Sequence, residues 1–321
     1  MKRLLLAGLI LAAPFTAGCQ CGESEPPPEE SDPPPHVDRS IPPDILDVEI
    51  PSFPPIGPKT TLTAHVTDDR GLRSVGVEFL NLTEYDVSGT KVDVKFNGHD
   101  LGEGFGTAVV RATDVDGNHT DLGMYGIAVD LSPPTAELLD TVVRRGDGSD
   151  VWIWVGDAFV LGAVTVEFGG ASQSYEFEKG YPPTFGEDWD QSLVNFSTLD
   201  FPEGTGAFHI AVKDAAGNAS EFDFDLRLDG TAPAVDITSP SSGDAVSGVF
   251  HVHATAADDT GGPVWISLAL GGTPIGTFAG PDADVDIDTS DYAPGNLVLT
   301  ATALDDAGNE SDPIEVPLVL N

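Results

Sequence analysis

Apolar and polar residues alternate one by one over short stretches along most of the chain. Leu62-Thr-Ala-His-Val66, Val75-Gly-Val-Glu-Phe79, Val151-Trp-Ile-Trp-Val155, Val164-Thr-Val-Glu-Phe168 and Val264-Trp-Ile-Ser-Leu268 are examples. A period of two sends successive side chains to opposite faces of an extended chain, so each stretch predicts a half-buried β-strand. The runs stop at clusters of Asp, Gly, Pro and Asn, the residues that form turns. No sustained helical period occurs beyond the first residues, and the expectation is an all-β chain.

A longer pattern lies over the alternation. Asp, three residues, Gly, nine residues, Asp, two residues and Gly-Asn recur at Asp100/Gly104/Asp114/Gly117/Asn118, Asp200/Gly204/Asp214/Gly217/Asn218 and Asp291/Gly295/Asp305/Gly308/Asn309. The nine-residue run predicts a strand with Ala108/Val110/Ala112, Phe208/Ile210/Val212 and Leu299/Ala301/Ala303 facing inward. Asp-x-x-Gly-Asn then predicts a turn, and Tyr125/Ile127/Val129, Phe222/Phe224/Leu226/Leu228 and Val316/Leu318/Leu320 a returning strand. A second landmark, Pro four residues after Asp, recurs at Asp38/Pro42, Asp130/Pro134 and Asp229/Pro233. Self-similarity of this kind means one folding unit in tandem. Several short strands separated by turns within each unit predict a β-sandwich.

The A-x-D-x-x-G-N turn followed by a D-x-x-x-P joint resembles the tandem bacterial Ig-like domains of surface proteins and adhesins. The resemblance covers residues 38 to 321. It implies three Ig-like β-sandwich domains, 38–130, 131–229 and 230–321, arranged as a rod. The Cys pair and strand-C Trp of antibody-type domains are absent. The fold hosts many roles, so the resemblance implies a non-catalytic adhesion, binding or spacer protein without naming a partner, with a purely structural envelope protein as an alternative.

The N-terminus adds an address. Lys2 and Arg3 precede an apolar run from Leu4 to Ala13 and small residues before Cys19, which predicts a secretory signal peptide over 1–18, too short to span a membrane. Thr16-Ala-Gly-Cys19 resembles a bacterial lipobox, which implies that Cys19 is diacylated and becomes the new N-terminus. Gln20 after it implies the outer membrane or cell surface. An ordinary cleaved signal is the alternative. Cys21 is the only other cysteine, so no disulfide framework is expected. Residues 19–37 are acidic and Pro-rich, which predicts a disordered, extended tether. The net charge of -39 argues against nucleic-acid partners and for a soluble, cation-attracting surface.

Candidate chemistry is confined to three features. Asp68/Asp69, Asp114/Asp116, Asp258/Asp259 and Asp305/Asp306 lie in predicted turns, and Asp130 and Asp229 at joints. Hard carboxylate oxygens in such places could bind Ca²⁺ and stiffen a tandem array, although Asp also serves as a turn former without metal. His251 and His253 share one strand face and could hold a transition metal, without a third ligand identifiable. The middle unit carries an insertion over 169–199 with Tyr175, Phe177, Tyr181, Phe185 and Trp189. Tyr175, Tyr181 and Trp189 could bind glycan or a surface protein, or cover the sandwich edge as an extra hairpin. Trp152 and Trp154 share one face and are expected in sheet packing. No nucleophile elbow, zincin helix or phosphate loop occurs, so no catalysis and no other cofactor are expected.

Overall fold

The computed structural model describes residues 39–51, 55–177 and 191–321. The signal segment, Cys19, the Pro-rich segment, Tyr181 and Trp189 lie outside them. Ile41 to Asn321 is one compact unit, and within it the described chain is almost wholly strand.

The first sandwich comprises β1 (Asp44–Glu49), β2 (Thr61–Thr67), β3 (Leu72–Glu78), β4 (Leu82–Asp86), β5 (Lys91–Asn97), β6 (Gly104–Asp114) and β7 (His119–Val129). They pair as sheets β1-β2-β5 and β4-β3-β6-β7. The second begins with β8 (Thr135–Leu138), β9 (Val142–Arg144), β10 (Asp150–Gly156) and β11 (Leu161–Phe168). It continues with β12 (Ala171–Glu176), β13 (Gln191–Ser197), β14 (Gly204–Asp214) and β15 (Ala219–Asp229). Its sheets are β8-β10-β13 and β12-β11-β14-β15-β9. The third begins with β16 (Ala234–Ser239), β17 (Ala245–Val246), β18 (Val249–Ala257) and β19 (Val264–Leu270). It ends with β20 (Thr273–Ala279), β21 (Asp282–Asp288), β22 (Gly295–Asp305) and β23 (Ile314–Leu320), in sheets β16-β18-β21 and β20-β19-β22-β23-β17. The strand order repeats in all three. The short strands β9 and β17 run parallel to the last strand of their unit, and in the first unit a single bridge between Ile56 and Val129 takes that place.

Each sandwich closes over its own apolar cluster, and the inward residues of the nine-residue strand sit at its centre. Phe208, fully buried, packs its ring 6.3 Å from Phe168 and 5.9 Å from Phe201. Burial of such side chains, rather than strand propensity alone, selects the inward face.

The final hairpins form as the repeated frame predicts. Asp214 Oδ1 accepts from the amides of Gly217 (2.6 Å) and Asn218 (2.8 Å), closing the turn on itself. Gly117, Gly217 and Gly308 have φ of 93°, 96° and 89°, which L side chains adopt only with strain. One strand departs from expectation. The register of β6 against β7 shifts between Gly106 and Ala108, so Met124 and Ile127 face the core while Tyr125 is 86% exposed. A bulge of this kind turns the following side chains over, and alternation alone does not reveal it.

Candidate functional site at the joints

The joints between sandwiches carry the least ordinary chemistry of the described residues. The chain leaves β7 at Val129, and Asp130 follows it, with no exposed surface. The hairpin turn of the second sandwich reaches back to this point. Asn218 donates through Nδ2 to the Asp130 carbonyl oxygen (3.2 Å) and to Asp214 Oδ2 (2.7 Å). The second joint repeats the device: Asn309 Nδ2 donates to the Asp229 carbonyl (3.0 Å) and to Asp305 Oδ2 (2.8 Å). The turn of each sandwich therefore holds the last strand of the one before it. Gly57 and Ala216 tighten the first joint further, because a Cβ on Gly57 would overlap the Ala216 carbonyl.

These contacts gather carboxylates. At the first joint one oxygen each from Asp130, Asp157 and Asp214 lies within 4.8 Å of the others, and the three residues are 0%, 7% and 2% exposed. Asp157 ends the strand entering the turn after β10, and its Oδ1 accepts from the Phe159 amide (2.8 Å). Asp130 Oδ1 accepts from Ser132 (3.2 Å). The Oδ2 atoms of Asp130 and Asp157 are buried, and among the described residues no donor reaches them. Burial, then the charges of Asp157 and Asp214, push the Asp130 carboxyl up to about 8. Burial likewise raises Asp157 to about 6, and it raises Asp214 despite the donors in its turn. Glu103 adds negative charge that acts on both Asp130 and Asp157, while its own Oε1 accepts from Ser132 Oγ (2.6 Å).

The second joint uses the corresponding residues: Asp229, Asp258 and Asp305 form one group, and Glu203, Asp229 and Asp259 another. Here cations and a hydroxyl intervene. Thr260 Oγ1 lies 2.8 Å from Asp229 Oδ2 and 2.5 Å from Asp258 Oδ2, Arg227 pairs with Asp306, and Arg144 Nε donates to Asn309 Oδ1 (3.1 Å). Burial raises Asp229, and the hydrogen bond from Thr260 opposes that shift.

The candidate residues thus regroup. Asp68, Asp114 and Asp258 are the inward members of their pairs, each more buried than its partner. Asp69 is exposed and joins no cluster; Asp116 is exposed and pairs with Arg70 Nη1 (3.0 Å); Asp259 is exposed and faces Glu203 and Asp229. Neighbours in sequence therefore do not share a site, and of the inward members only Asp258 meets carboxylates from distant strands, Asp229 and Asp305. In the first sandwich Asp68 keeps a buried bare Oδ2, and donors from Asn118, Asp116 and Gly117 overcome the upward effect of burial and hold Asp114 below the usual carboxylate value. Asp157, Glu103 and Glu203 were missed because no acidic doublet marks them. Their signal is positional: Glu103 and Glu203 stand directly before the frame glycine, and Asp157 aligns with Asp68 and Asp258.

The remaining candidates are dispersed. His251 Nδ1 lies 3.0 Å from Asp286 Oδ1, and His253 Nδ1 lies 2.8 Å from Asp284 Oδ1, on the exposed face shared by β18 and β21. Tyr175 is 47% exposed on β12 and meets the edge of Phe177 at 5.0 Å. Trp152 and Trp154 stand on the outer face of β10, 38% and 41% exposed.

Residues 233–308, most of the third sandwich, match the family described as bacterial Ig domain. The same strand order in all three units makes the described chain a tandem of Ig-like sandwiches. Among solved structures, the fibronectin(III)-like modules of Clostridium thermocellum CbhA are similar over 58% of this chain and 94% of theirs, at 17% identity and a TM-score of 0.36. Dimeric latent PorU of Porphyromonas gingivalis is similar over 87% of this chain and 34% of its own, at 12% identity and a TM-score of 0.22. No curated protein matches.

Proposed function

We infer that this chain is a lipid-anchored cell-surface protein whose tandem Ig-like sandwiches serve as a non-catalytic spacer or adhesion stalk. The observation that carries the reading is the pair of joints. A protein that only strung independent modules together would have no use for Asn218 and Asn309 reaching across to the preceding strand. Clamped joints transmit position from one end of an array to the other, which is what a spacer requires. The anchor would be Cys19, followed by an acidic Pro-rich segment that self-repulsion keeps extended. The family likeness of residues 233–308 supports a surface role.

Metabolic labelling with palmitate tests the anchor. Wild-type chain is expected to take up label and fractionate with membranes, and Cys19→Ser to lose both; undiminished labelling of the variant refutes it. A glycan-binding role is the second reading, favoured by the exposed aromatic faces of Tyr175, Trp152 and Trp154. Retention on cell-wall glycan that survives Tyr175→Ala and Trp154→Ala would remove it.

A further inference from the structure

The geometry points to a binding site for one hard divalent cation, of calcium size, at the joint of the first and second sandwiches, with Asp130, Asp157 and Asp214 as its ligands. Their converging oxygens lie within 4.8 Å of one another, the residues are 0%, 7% and 2% exposed, and Asp130 and Asp157 each keep one buried oxygen to which no described residue donates. Burying one ionised carboxylate away from water is costly, and three together repel as well. Natural structures leave such groups paired or coordinated to metal. Among the described residues no Lys, Arg or His pairs with any of the three, so neutralisation falls to protons or to a cation taken from solvent.

The other copies of the same arrangement supply the comparison. At the second joint the chain brings its own compensation: the Thr260 hydroxyl lies between Asp229 and Asp258, and Arg227 and Arg144 stand beside them. In the first sandwich Arg70 occupies the place of Thr260, two residues after the inward Asp, and pairs with Asp116. In the middle copy that place is Phe159, which offers only its backbone amide. Among the described residues the first joint keeps two bare buried carboxylate oxygens and no cation beside them, whereas the second keeps one, Asp258 Oδ1, with Arg227 and Arg144 close by.

Donor chemistry selects the ion. The three carboxylates supply one converging hard oxygen each, and Glu103 at the rim adds charge. No His or Cys takes part, which disfavours zinc and copper. Buried carboxylate oxygens with little room for water suit calcium, which sheds water readily, better than magnesium, which keeps its waters in a strict octahedron. A bound cation would tie β7 of one sandwich to β10 and β14 of the next, locking the joint that Asn218 holds. The site stands whether or not the chain is anchored to a membrane.

The test uses the full chain stripped with chelator, titrated with Ca²⁺ and separately with Mg²⁺ by calorimetry, with thermal melts in parallel. The expected result is one tight calcium per chain, a melting temperature several degrees higher, and at least tenfold weaker binding of magnesium. Asp157→Asn should weaken calcium binding at least tenfold and abolish the thermal shift, while Asp258→Asn at the second joint leaves the tight site unchanged. Wild-type chain that neither binds nor responds to millimolar calcium overturns the proposal, even if the variant fails to fold. So does a tight site that survives Asp157→Asn, one that Asp258→Asn removes, or equal affinity for magnesium.

Discussion

Replacing Asn218 by Ala removes the side chain that spans the first joint and leaves the backbone turn intact, since its main-chain amide still donates to Asp214. Two hydrogen bonds are lost: the one to the Asp130 carbonyl at 3.2 Å and the charge-assisted one to Asp214 Oδ2 at 2.7 Å. Asn218 is only 8% exposed and Asp130 fully buried, so water does not readily replace either partner. A neutral bond contributes roughly 0.5–1.5 kcal/mol and one to a charged group roughly 1.5–3 kcal/mol, giving a loss of about 2–4 kcal/mol for the second sandwich. Urea unfolding followed by tryptophan fluorescence reads this unit well, because Trp152, Trp154 and Trp189 lie in it and Trp265 alone in the third. With a slope of roughly 1–3 kcal/mol per molar urea, the midpoint of that transition should fall by about 1 M or more. Asn309→Ala should produce a comparable loss in the third sandwich, where Arg144 also loses its acceptor. A midpoint change below about 0.3 M in Asn218→Ala would refute the idea that the joint is held by this side chain.

Three further outcomes follow from the same geometry. Phe208→Ala should cost about 3–5 kcal/mol, because the ring is fully buried between Phe168 and Phe201; urea unfolding should show the middle transition lowered and the third unmoved. Gly57→Ala should loosen the first joint without altering the core of either sandwich, which limited proteolysis within residues 130–134 would detect as faster cleavage. The hydrogen bond that the ring donates to Asp286, opposed by partial desolvation and helped by Asp284, raises His251 above its ordinary value of 6.5. Its contribution to stability is therefore present below pH 6.5 and disappears as pH rises through the raised value. Proton NMR titration should place it above 6.5 in wild type and lower in Asp286→Asn.

The alternation of apolar residues made the strands legible, and the frame Asp-x3-Gly-x9-Asp-x2-Gly-Asn made the closing hairpin legible, because both depend on local geometry: side-chain period and positive φ. The aspartates of the frame could be read as turn formers for the same reason, and Asp214 does close its own turn. Their second face could not be read locally. Asp130, Asp157 and Asp214 meet only because β7 of one sandwich ends against β10 and β14 of the next, which requires the three-dimensional joint. The doublets Asp68/Asp69 and Asp258/Asp259 drew attention through composition, yet alternation turns one member of each outward. Tyr125 shows the opposite limit: the period was correct, and a bulge reset it. The middle copy stands apart at its joint, through Phe159 in place of Arg70 or Thr260, as well as through its insertion.

Amide hydrogen exchange over the joints tests the central claim, that each hairpin turn clamps the strand before it. Peptides spanning 128–133 and 227–232 should exchange as slowly as neighbouring strands in wild type, since the Asp130 amide donates to Ile56 and the Ser132 and Thr231 amides to Asp130 and Asp229. Asn218→Ala should accelerate the first peptide alone and Asn309→Ala the second alone. Wild-type joints that exchange like a free linker, or variants that each accelerate both joints equally, would contradict it.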